Sequence, residues 1–216
     1  MDLVSQELSH GMSDDALQRS SRTTVTPPIV LAVVRVQLAS GRSGEGPSIS
    51  VWPVDQPVRD RIAELQALEG VHRIAVLNSP NGLTLQQQLD GVGADLALVY
   101  SVRMHQVRED HFAPLSIVTL GASPTHTQTV EVLIDTALID VRSGFQLGRS
   151  EVTGETWQLA NTWTANEAGE QARERALKRA ADAMLDEFLQ SWPAMISRPA
   201  QERHVPIRLP GDPDQP

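Results

Sequence analysis

The hydrophobic and polar positions of the chain form short apolar runs that alternate with segments of helical spacing. One run, Ile29–Gln37, is nearly all aliphatic and β-branched, which is typical of a strand buried on both faces. A second buried strand is predicted over His72–Leu77, and a third strand over Asp95–Gln106. From Val58 to Leu68 and from Leu83 to Leu89, apolar residues recur every three or four positions, which predicts two helices. The order strand, helix, strand, helix, strand predicts right-handed crossovers and parallel or mixed strand pairing.

The second half of the chain has a different pattern, in which extended segments follow one another directly. Leu115–Leu120, Thr127–Val141 and Phe145–Trp157 are predicted strands, and Arg142-Ser143-Gly144 predicts a hairpin turn between the last two. Apolar positions fall on both faces of the middle segment. This distribution predicts either a bulge near Asp135 or partial cover on both faces.

The most periodic segment is the last one, a predicted helix that begins near Thr164 and ends at Pro193. Thr164 and Glu167 have the spacing of a capping box, and Glu174 and Lys178 have that of an outward-facing ion pair. The apolar side chains share one face, which indicates that the helix packs on the sheet. That face consists of Leu177, Ala181, Met184, Leu185, Phe188 and Trp192.

These elements predict an α/β fold at the border of α+β: a mixed sheet of five or six strands, two crossover helices and a long C-terminal helix. We expect one domain over residues 28–196. Residues 1–27 are rich in Ser, Asp and Gln, which predicts a flexible arm. Residues 197–216 contain 5 prolines among charged residues, which predicts a disordered tail.

Composition narrows the function mainly by exclusion. The 216 residues include no cysteine, so disulfides, thiolate catalysis and Cys-ligated metal sites are excluded. A net charge of −9 argues against nucleic acid or an anionic membrane surface as the main partner. No apolar run reaches the about 18 residues of a membrane-spanning helix. The polar first residues leave two alternatives open: a cytoplasmic protein, or an exported protein whose leader has been removed.

Two groups of residues have the side chains that catalysis or metal binding would need. His105 and His111 flank three charged residues and could form an imidazole–carboxylate metal site, but a solvated loop explains the same pattern. Ser116, His126 and Asp135 supply the residue types of a hydrolase triad. No Gly-x-Ser-x-Gly elbow accompanies them, and Ser116 lies inside a predicted strand. We therefore predict no catalytic residue, no metal site and no cofactor.

Three further features have a structural interpretation beside a functional one. The glycines of residues 41–46 match neither a phosphate-binding loop nor a dinucleotide fingerprint, so we interpret them as a flexible loop. Asp140, two positions before Arg142, is best explained as part of the turn. Trp157 and Trp163 could mark a binding patch, and packing of the strand-to-helix connection is the interpretation we favour.

A family resemblance rests on three segments in this order: Gly93-Ala-Asp-Leu-Ala-Leu-Val-Tyr-Ser-Val102, Thr125-His-Thr127 and Val132-Leu-Ile-Asp-Thr-Ala-Leu-Ile-Asp-Val-Arg-Ser-Gly144. Together they resemble bacterial surface or periplasmic lipoproteins of the rhombotarget type, over about residues 29–190. More broadly, they look like curli-secretion-channel lipoproteins and the amino-terminal domain of the Tol-system translocation protein. The family's lipid-bearing cysteine and its Gly-Gly sorting tail are missing here, and none of its functional residues can be carried over.

The resemblance implies an anticodon-binding-domain-like α/β sandwich outside the cytoplasm, without catalysis. We therefore expect a non-enzymatic protein of the periplasm or outer membrane that binds a protein or another envelope component. Contact with the membrane would require a lipid anchor removed with the leader. Two alternatives stay open: an enzyme using His105 and His111 or His126 and Asp135, and a self-assembling module that forms homo-oligomers.

Overall fold

The structure is a computed structural model, and it describes residues 27–39, 48–78, 84–110, 126–160 and 165–197. Six strands and four helices lie within these ranges. In chain order they are β1 (Ile29–Ala39), β2 (Ser48–Trp52), α1 (Gln56–Asp60), α2 (Ile62–Gln66), β3 (Val71–Leu77), α3 (Leu85–Val92), β4 (Leu96–Asp110), β5 (His126–Asp140), β6 (Gln146–Ala160) and α4 (Ala165–Ser197).

The six strands form one mixed sheet, as the sequence pattern predicts. Its order is β2-β1-β4-β5-β6, and β3 pairs with the first half of β1. Strands β1, β3 and β4 are parallel to one another, whereas β4, β5 and β6 form an antiparallel meander. The predicted α/β architecture with crossover helices and a long C-terminal helix is confirmed.

Helix α4 covers one face of the sheet and creates the larger of two cores. Buried alanines at every fourth position let this helix approach the sheet closely. Larger side chains on its second half fill the space above β1, β4 and β5. The alanines are Ala168, Ala172, Ala176 and Ala180, and the larger side chains are Met184, Leu185, Phe188 and Trp192.

Helix α3 covers part of the opposite face and creates a smaller core. Leu85 and Leu89 of the helix pack against the aliphatic side chains of β1, β4 and β5 on that side. Thr84 caps the helix in a capping box with Gln87, and Gly93 ends it with a φ of +66°. Since α3 is only 8 residues long, the outer halves of β4, β5 and β6 extend beyond it.

Several local predictions need correction. Pro193 does not end the last helix: it lies inside α4, because Met195 and Ile196 beyond it still pack on the core. Lys178 pairs with Asp182 at 3.0 Å, one turn further along the helix, and not with Glu174. The predicted helix over Val58–Leu68 is divided in two at Arg61, whose guanidinium binds both Glu64 of α2 and Asp186 of α4.

The irregularity of β5 is also displaced from its predicted place. The register against β6 shifts between Leu138 and Ile139, whereas Asp135 lies in regular pairing. Apolar residues occur on both faces here because α4 covers one face and α3 the other. The predicted strand Leu115–Leu120, the residue Thr164 of the predicted capping box, the glycine loop, most of the arm and almost all of the tail lie outside the described residues.

Candidate functional site

The structure does not bring together the residues that could supply a hydrolase triad. His126 and Asp135 are nine positions apart on the same strand, with continuous pairing to β4 between them. At ~3.3 Å per residue, their backbones are about 30 Å apart. The two residues therefore cannot act in one active site, and Ser116 lies outside the described residues.

His105 lies in a strand, as predicted for Asp95–Gln106, and that strand continues to Asp110 into the segment that we interpreted as a solvated loop. It is an exposed residue of β4, opposite Glu131 of β5, and His111 is outside the described ranges. Within the part of the chain that the structure describes, no three His, Asp or Glu side chains are grouped closely enough to hold a metal ion.

Asp95, Asp140 and Gly144 have structural roles in this protein. The Asp95 carboxylate accepts hydrogen bonds from the Val30 N–H at 2.9 Å and from Arg142 at 3.2 Å, so it joins the start of β1 to the β5–β6 turn. Asp140 accepts the backbone N–H groups of Arg142 and Ser143 at 2.9 and 3.2 Å. Gly144 has a φ of +69°. The prediction that Asp140 serves the turn is confirmed.

His105, Asp135 and Trp157 lie on one surface, which we call the outer sheet face. It is the part of the sheet beyond α3, on the side opposite α4, where β4, β5 and β6 run side by side. Its described side chains stand in cross-strand rows. The rows are Ser101–Asp135–Glu151, Arg103–Leu133–Thr153, His105–Glu131–Glu155 and Val107–Thr129–Trp157.

An ion-pair cluster occupies the end of the outer sheet face nearest to α3. Asp135 accepts hydrogen bonds at 3.2 Å from Arg103 and at 3.2 Å from Arg149, and Arg103 also lies 3.6 Å from Glu151. The two arginine side chains cover the carboxylate, whose side chain is only 8% exposed. All four charges are partnered, so this cluster links three strands and leaves no free acid or base.

The row His105–Glu131–Glu155 differs from this cluster, because it places two carboxylates directly opposite each other. Glu131 of β5 faces Glu155 of β6, and both side chains are exposed. Neither carboxylate has an ion-pair partner among the described residues. Like charges opposite each other across two strands destabilise a sheet, so this row is suited to receive a positive charge from outside.

Two large apolar side chains are exposed in the last row. Trp157 is 65% exposed and Val107 is 40% exposed, and Thr129 lies between them. Our favoured interpretation of Trp157, as packing for the strand-to-helix connection, is therefore wrong. Trp163 is outside the described residues.

Sequence reasoning missed Glu131, Glu155 and Val107 as members of this surface. The signal was present, since Thr129, Glu131, Leu133 and Asp135 alternate along β5. It could be recognised only with knowledge of which face α4 covers.

A second polar cluster, which the sequence did not reveal, lies where the parallel strands end. Asp55 accepts hydrogen bonds from Arg35 at 2.6 Å and from the Tyr100 hydroxyl at 3.1 Å, and its own N–H donates to that hydroxyl oxygen. Arg35 also lies 5.8 Å from the ring of Trp52. Every polar group named here has a partner, and the cluster anchors the N-terminus of α1 to β1 and β4.

The buried Tyr100 of this cluster predicts how the stability of the protein changes at alkaline pH. Burial, with the nearby Asp55 carboxylate as a second cause, raises the pKa of Tyr100 well above its ordinary value of 10.0. The protonated phenol thus stabilises the fold fully below pH about 10, and this contribution is lost at higher pH because the unfolded chain ionises first.

The chain has 1 tyrosine, so the ultraviolet absorbance of tyrosinate reports on Tyr100 alone. We expect this absorbance to appear only as the protein unfolds, and its pH dependence to follow circular dichroism. Tyr100→Phe should abolish the signal and flatten the alkaline loss of stability. Ionisation in the folded protein near pH 10 would contradict the observed burial.

Comparison with known proteins found similarity to solved structures only. No family model matches the chain, and no curated protein matches it. Similar structures include a candidate lipoprotein from Caulobacter crescentus CB15, with 19% identity, coverage of 91% of this chain and 98% of that one, and a TM-score of 0.38. Rare lipoprotein B from Shewanella oneidensis has 13% identity, coverage of 76% and 94%, and a TM-score of 0.35.

A candidate homologue of a neuraminyllactose-binding hemagglutinin from Helicobacter pylori has 6% identity, coverage of 81% and 95%, and a TM-score of 0.43. At these identities and TM-scores, the similarities say nothing about the activity of this chain. Lipoproteins occur among these similar structures. The finer resemblances, to rhombotarget lipoproteins, curli-channel lipoproteins and the Tol protein, stay predictions.

Of the helices in the described ranges, none is long and apolar enough to span a bilayer.

Proposed function

We propose that this protein is a non-enzymatic binding module of the bacterial cell envelope, and that its outer sheet face holds a basic segment of a partner protein. The observation that carries the proposal is Trp157, which is 65% exposed on an open sheet face beside Glu131 and Glu155. Tryptophan is enriched among the residues that dominate binding energy at protein interfaces.

The chemistry of the partner follows from the two outermost rows of the outer sheet face. A Lys or Arg side chain placed between Glu131 and Glu155 would remove the repulsion between the two carboxylates. Trp157 lies two positions from Glu155 on the same face of β6, about 7 Å along the strand. The ring is thus placed to stack on the cationic or apolar part of the same segment. An anionic lipid surface would instead be repelled.

The partners of the buried carboxylates among the described residues support the interpretation that the protein is not an enzyme. Asp135 is held by two arginines and Asp140 by two backbone N–H groups, so both have structural partners. The residues proposed for the alternative hydrolase lie too far apart to cooperate. The chemistry that remains on the open face is recognition by charge and apolar contact.

The envelope location rests on the sequence resemblance of residues 93–144 to lipoproteins. We expect the product of the complete gene, expressed in its own host, to be recovered with the periplasm or the membranes. Recovery in the cytoplasm alone would contradict this part of the proposal.

Self-assembly is favoured by one observation, the position of β6 at the edge of the sheet. This strand is 15 residues long, and among the described strands it pairs only with β5. Long unprotected edges invite pairing with a second copy. Light scattering over a range of concentrations tests this second candidate, and a mass equal to the monomer throughout would contradict it.

The binding proposal can be tested with a hexapeptide of alternating Leu and Arg, compared with the matching peptide of Leu and Glu. The chain has 4 tryptophans, so nuclear magnetic resonance shows their indole N–H signals separately, and Trp157→Phe identifies the signal of Trp157. We expect the Arg peptide to shift this signal in a saturable way. The Glu peptide should leave it unchanged.

Trp157→Ala is expected to weaken binding of the Arg peptide about tenfold, the equivalent of ~1.4 kcal/mol. The double variant Glu131→Gln with Glu155→Gln should weaken it similarly. Trp52→Ala is the matched control, because Trp52 is also exposed, at 43%, but lies on β2 at the other end of the sheet. Equal losses in the Trp52 and Trp157 variants would show that the peptide binds without using the outer sheet face.

A further inference from the structure

A cavity of about 290 Å³ lies on the side of the sheet opposite the outer sheet face. It is partly open to solvent and lies between the second half of α4 and the strands β4, β5 and β6. Its lining is mainly apolar and comes from Leu98, Leu138, Leu147, Met184, Phe188 and Met195.

Two hydroxyl groups in the wall of this cavity have no hydrogen-bond partner. Thr136 and Ser150 are direct cross-strand neighbours, and the side-chain oxygens of both are buried and unpaired. Thr136 is only 4% exposed. Leaving a buried hydroxyl without a partner costs about 1–3 kcal/mol, so a site of this kind normally receives a polar group.

On the opposite wall, the described side chains of α4 form no hydrogen bond with these two hydroxyls. The Ser191 hydroxyl donates to the backbone carbonyl of Phe188 at 3.0 Å and is therefore already used. The only carboxylate among the described lining residues is that of Glu187, which is exposed. The space above Thr136 and Ser150 thus combines a mainly apolar lining with two uncharged hydrogen-bonding groups.

We propose that this cavity is a binding site for an uncharged amphiphile, a short aliphatic chain that ends in a hydroxyl or carbonyl group. The chain packs against the leucine, methionine and phenylalanine side chains, and its polar end bonds to the hydroxyls of Thr136 and Ser150. At ~30 Å³ for a water-sized group, the cavity holds about ten non-hydrogen atoms.

A charged head group fits this cavity poorly. Arg149 also lines the cavity, but its guanidinium binds Asp135 on the outer sheet face. A carboxylate buried at the hydroxyl pair would thus lack a free cation, and burial of an unpaired charge is far more costly than burial of a hydroxyl. The site also lies on a different face from the surface that we propose for the partner protein. The two proposals are independent.

Octanol, octane and octanoate are the probes that separate these possibilities, and the full chain is the protein to use. We expect octanol to raise the melting temperature in a saturable way and to bind several-fold more tightly than octane or octanoate. Equal binding of octane and octanol would overturn the role of the hydroxyl pair. Failure of all three to bind would show that the cavity holds only water.

Thr136→Val tests the same site from the protein side, since it replaces the hydroxyl by a methyl group of similar size. Octanol affinity should fall about three- to tenfold, the loss of one hydrogen bond. The ligand-free protein should become more stable, because an unpaired buried hydroxyl has been removed. A loss of stability in the ligand-free variant would mean that the hydroxyl already has a partner and would contradict the proposal.

Ser191→Leu provides a second variant that is expected to fold normally. The Ser191 hydroxyl bonds only to its own helix, so its loss costs little, and the larger side chain enters the cavity. Octanol binding should be lost, whereas the stability of the ligand-free protein should be unchanged. Unchanged octanol affinity in this variant would place the ligand elsewhere.

Discussion

Replacement of Gly154 by alanine is expected to destabilise the protein by about 3 kcal/mol or more, the upper end of the range for overpacked sites. Gly154 of β6 lies directly beneath α4. A Cβ atom there would lie 2.7 Å from the backbone nitrogen of Ala180 and would also collide with the carbonyl oxygen of Ala176. Both are helix backbone atoms, so relief requires α4 to move off the sheet.

Gly148→Ala is the matched control on the same strand. A Cβ atom at this position would lie 2.8 Å from the sulfur of Met195, which is the flexible end of a side chain and can turn away. We expect this variant to stay within about 1 kcal/mol of the parent. Guanidinium denaturation measures both free energies of unfolding. Similar values for the two variants would contradict the close seating of α4 on Gly154.

Trp192→Ala is expected to cost about 3–5 kcal/mol, the usual range for deletion of a buried aromatic side chain. Trp192 is 1% exposed, and its ring centre lies 5.6 Å from that of Phe188. Its indole N–H donates to the carbonyl oxygen of Glu69 at 3.1 Å, so it also ties α4 to the turn before β3.

Trp157→Ala provides the control for Trp192→Ala, because it makes the same substitution on the outer sheet face. Its effect on stability should be below about 0.5 kcal/mol, as for other surface positions. The destabilisation caused by Trp192→Phe should lie between those of the two alanine variants. Phenylalanine keeps most of the buried area but loses the hydrogen bond to Glu69. An equal cost for Trp157→Ala would mean that the outer sheet face is covered and would also weaken the proposed function.

Much of the fold could be predicted because its signals are local. The aliphatic run of β1 and the alternation along β5 reflect burial on one or two faces, and burial follows directly from side-chain type. The turn at Asp140 and Gly144 could be recognised for the same reason: a short polar side chain and a residue tolerant of positive φ are needed there.

The local predictions that were wrong involved competition between a local preference and distant contacts. Proline disfavours a helix interior, but Met195 and Ile196 gain apolar contacts when α4 continues past Pro193. Arg61 interrupts the predicted first helix, and its guanidinium binds Asp186, which lies 125 positions away in the chain. No window of neighbouring residues contains this information.

The candidate site was predicted least well. His105 and Asp135 were considered only for a metal site and a triad that we did not predict, and Trp157 was interpreted as a packing residue. Their common location on the outer sheet face depends on the register between β4, β5 and β6. It depends also on α3 being too short to cover that end of the sheet.

The sequence alone therefore determined the mixed α/β class, the helix on the sheet and the exclusion of cysteine chemistry, because each follows from residue type and spacing. Only the three-dimensional arrangement of the described elements shows which part of the sheet no described helix covers, which carboxylates are paired and where two hydroxyls share a cavity. These features depend on pairs of residues far apart in the chain, such as Thr136 with Ser150 or Glu131 with Glu155. Their distances are set by strand register and helix packing.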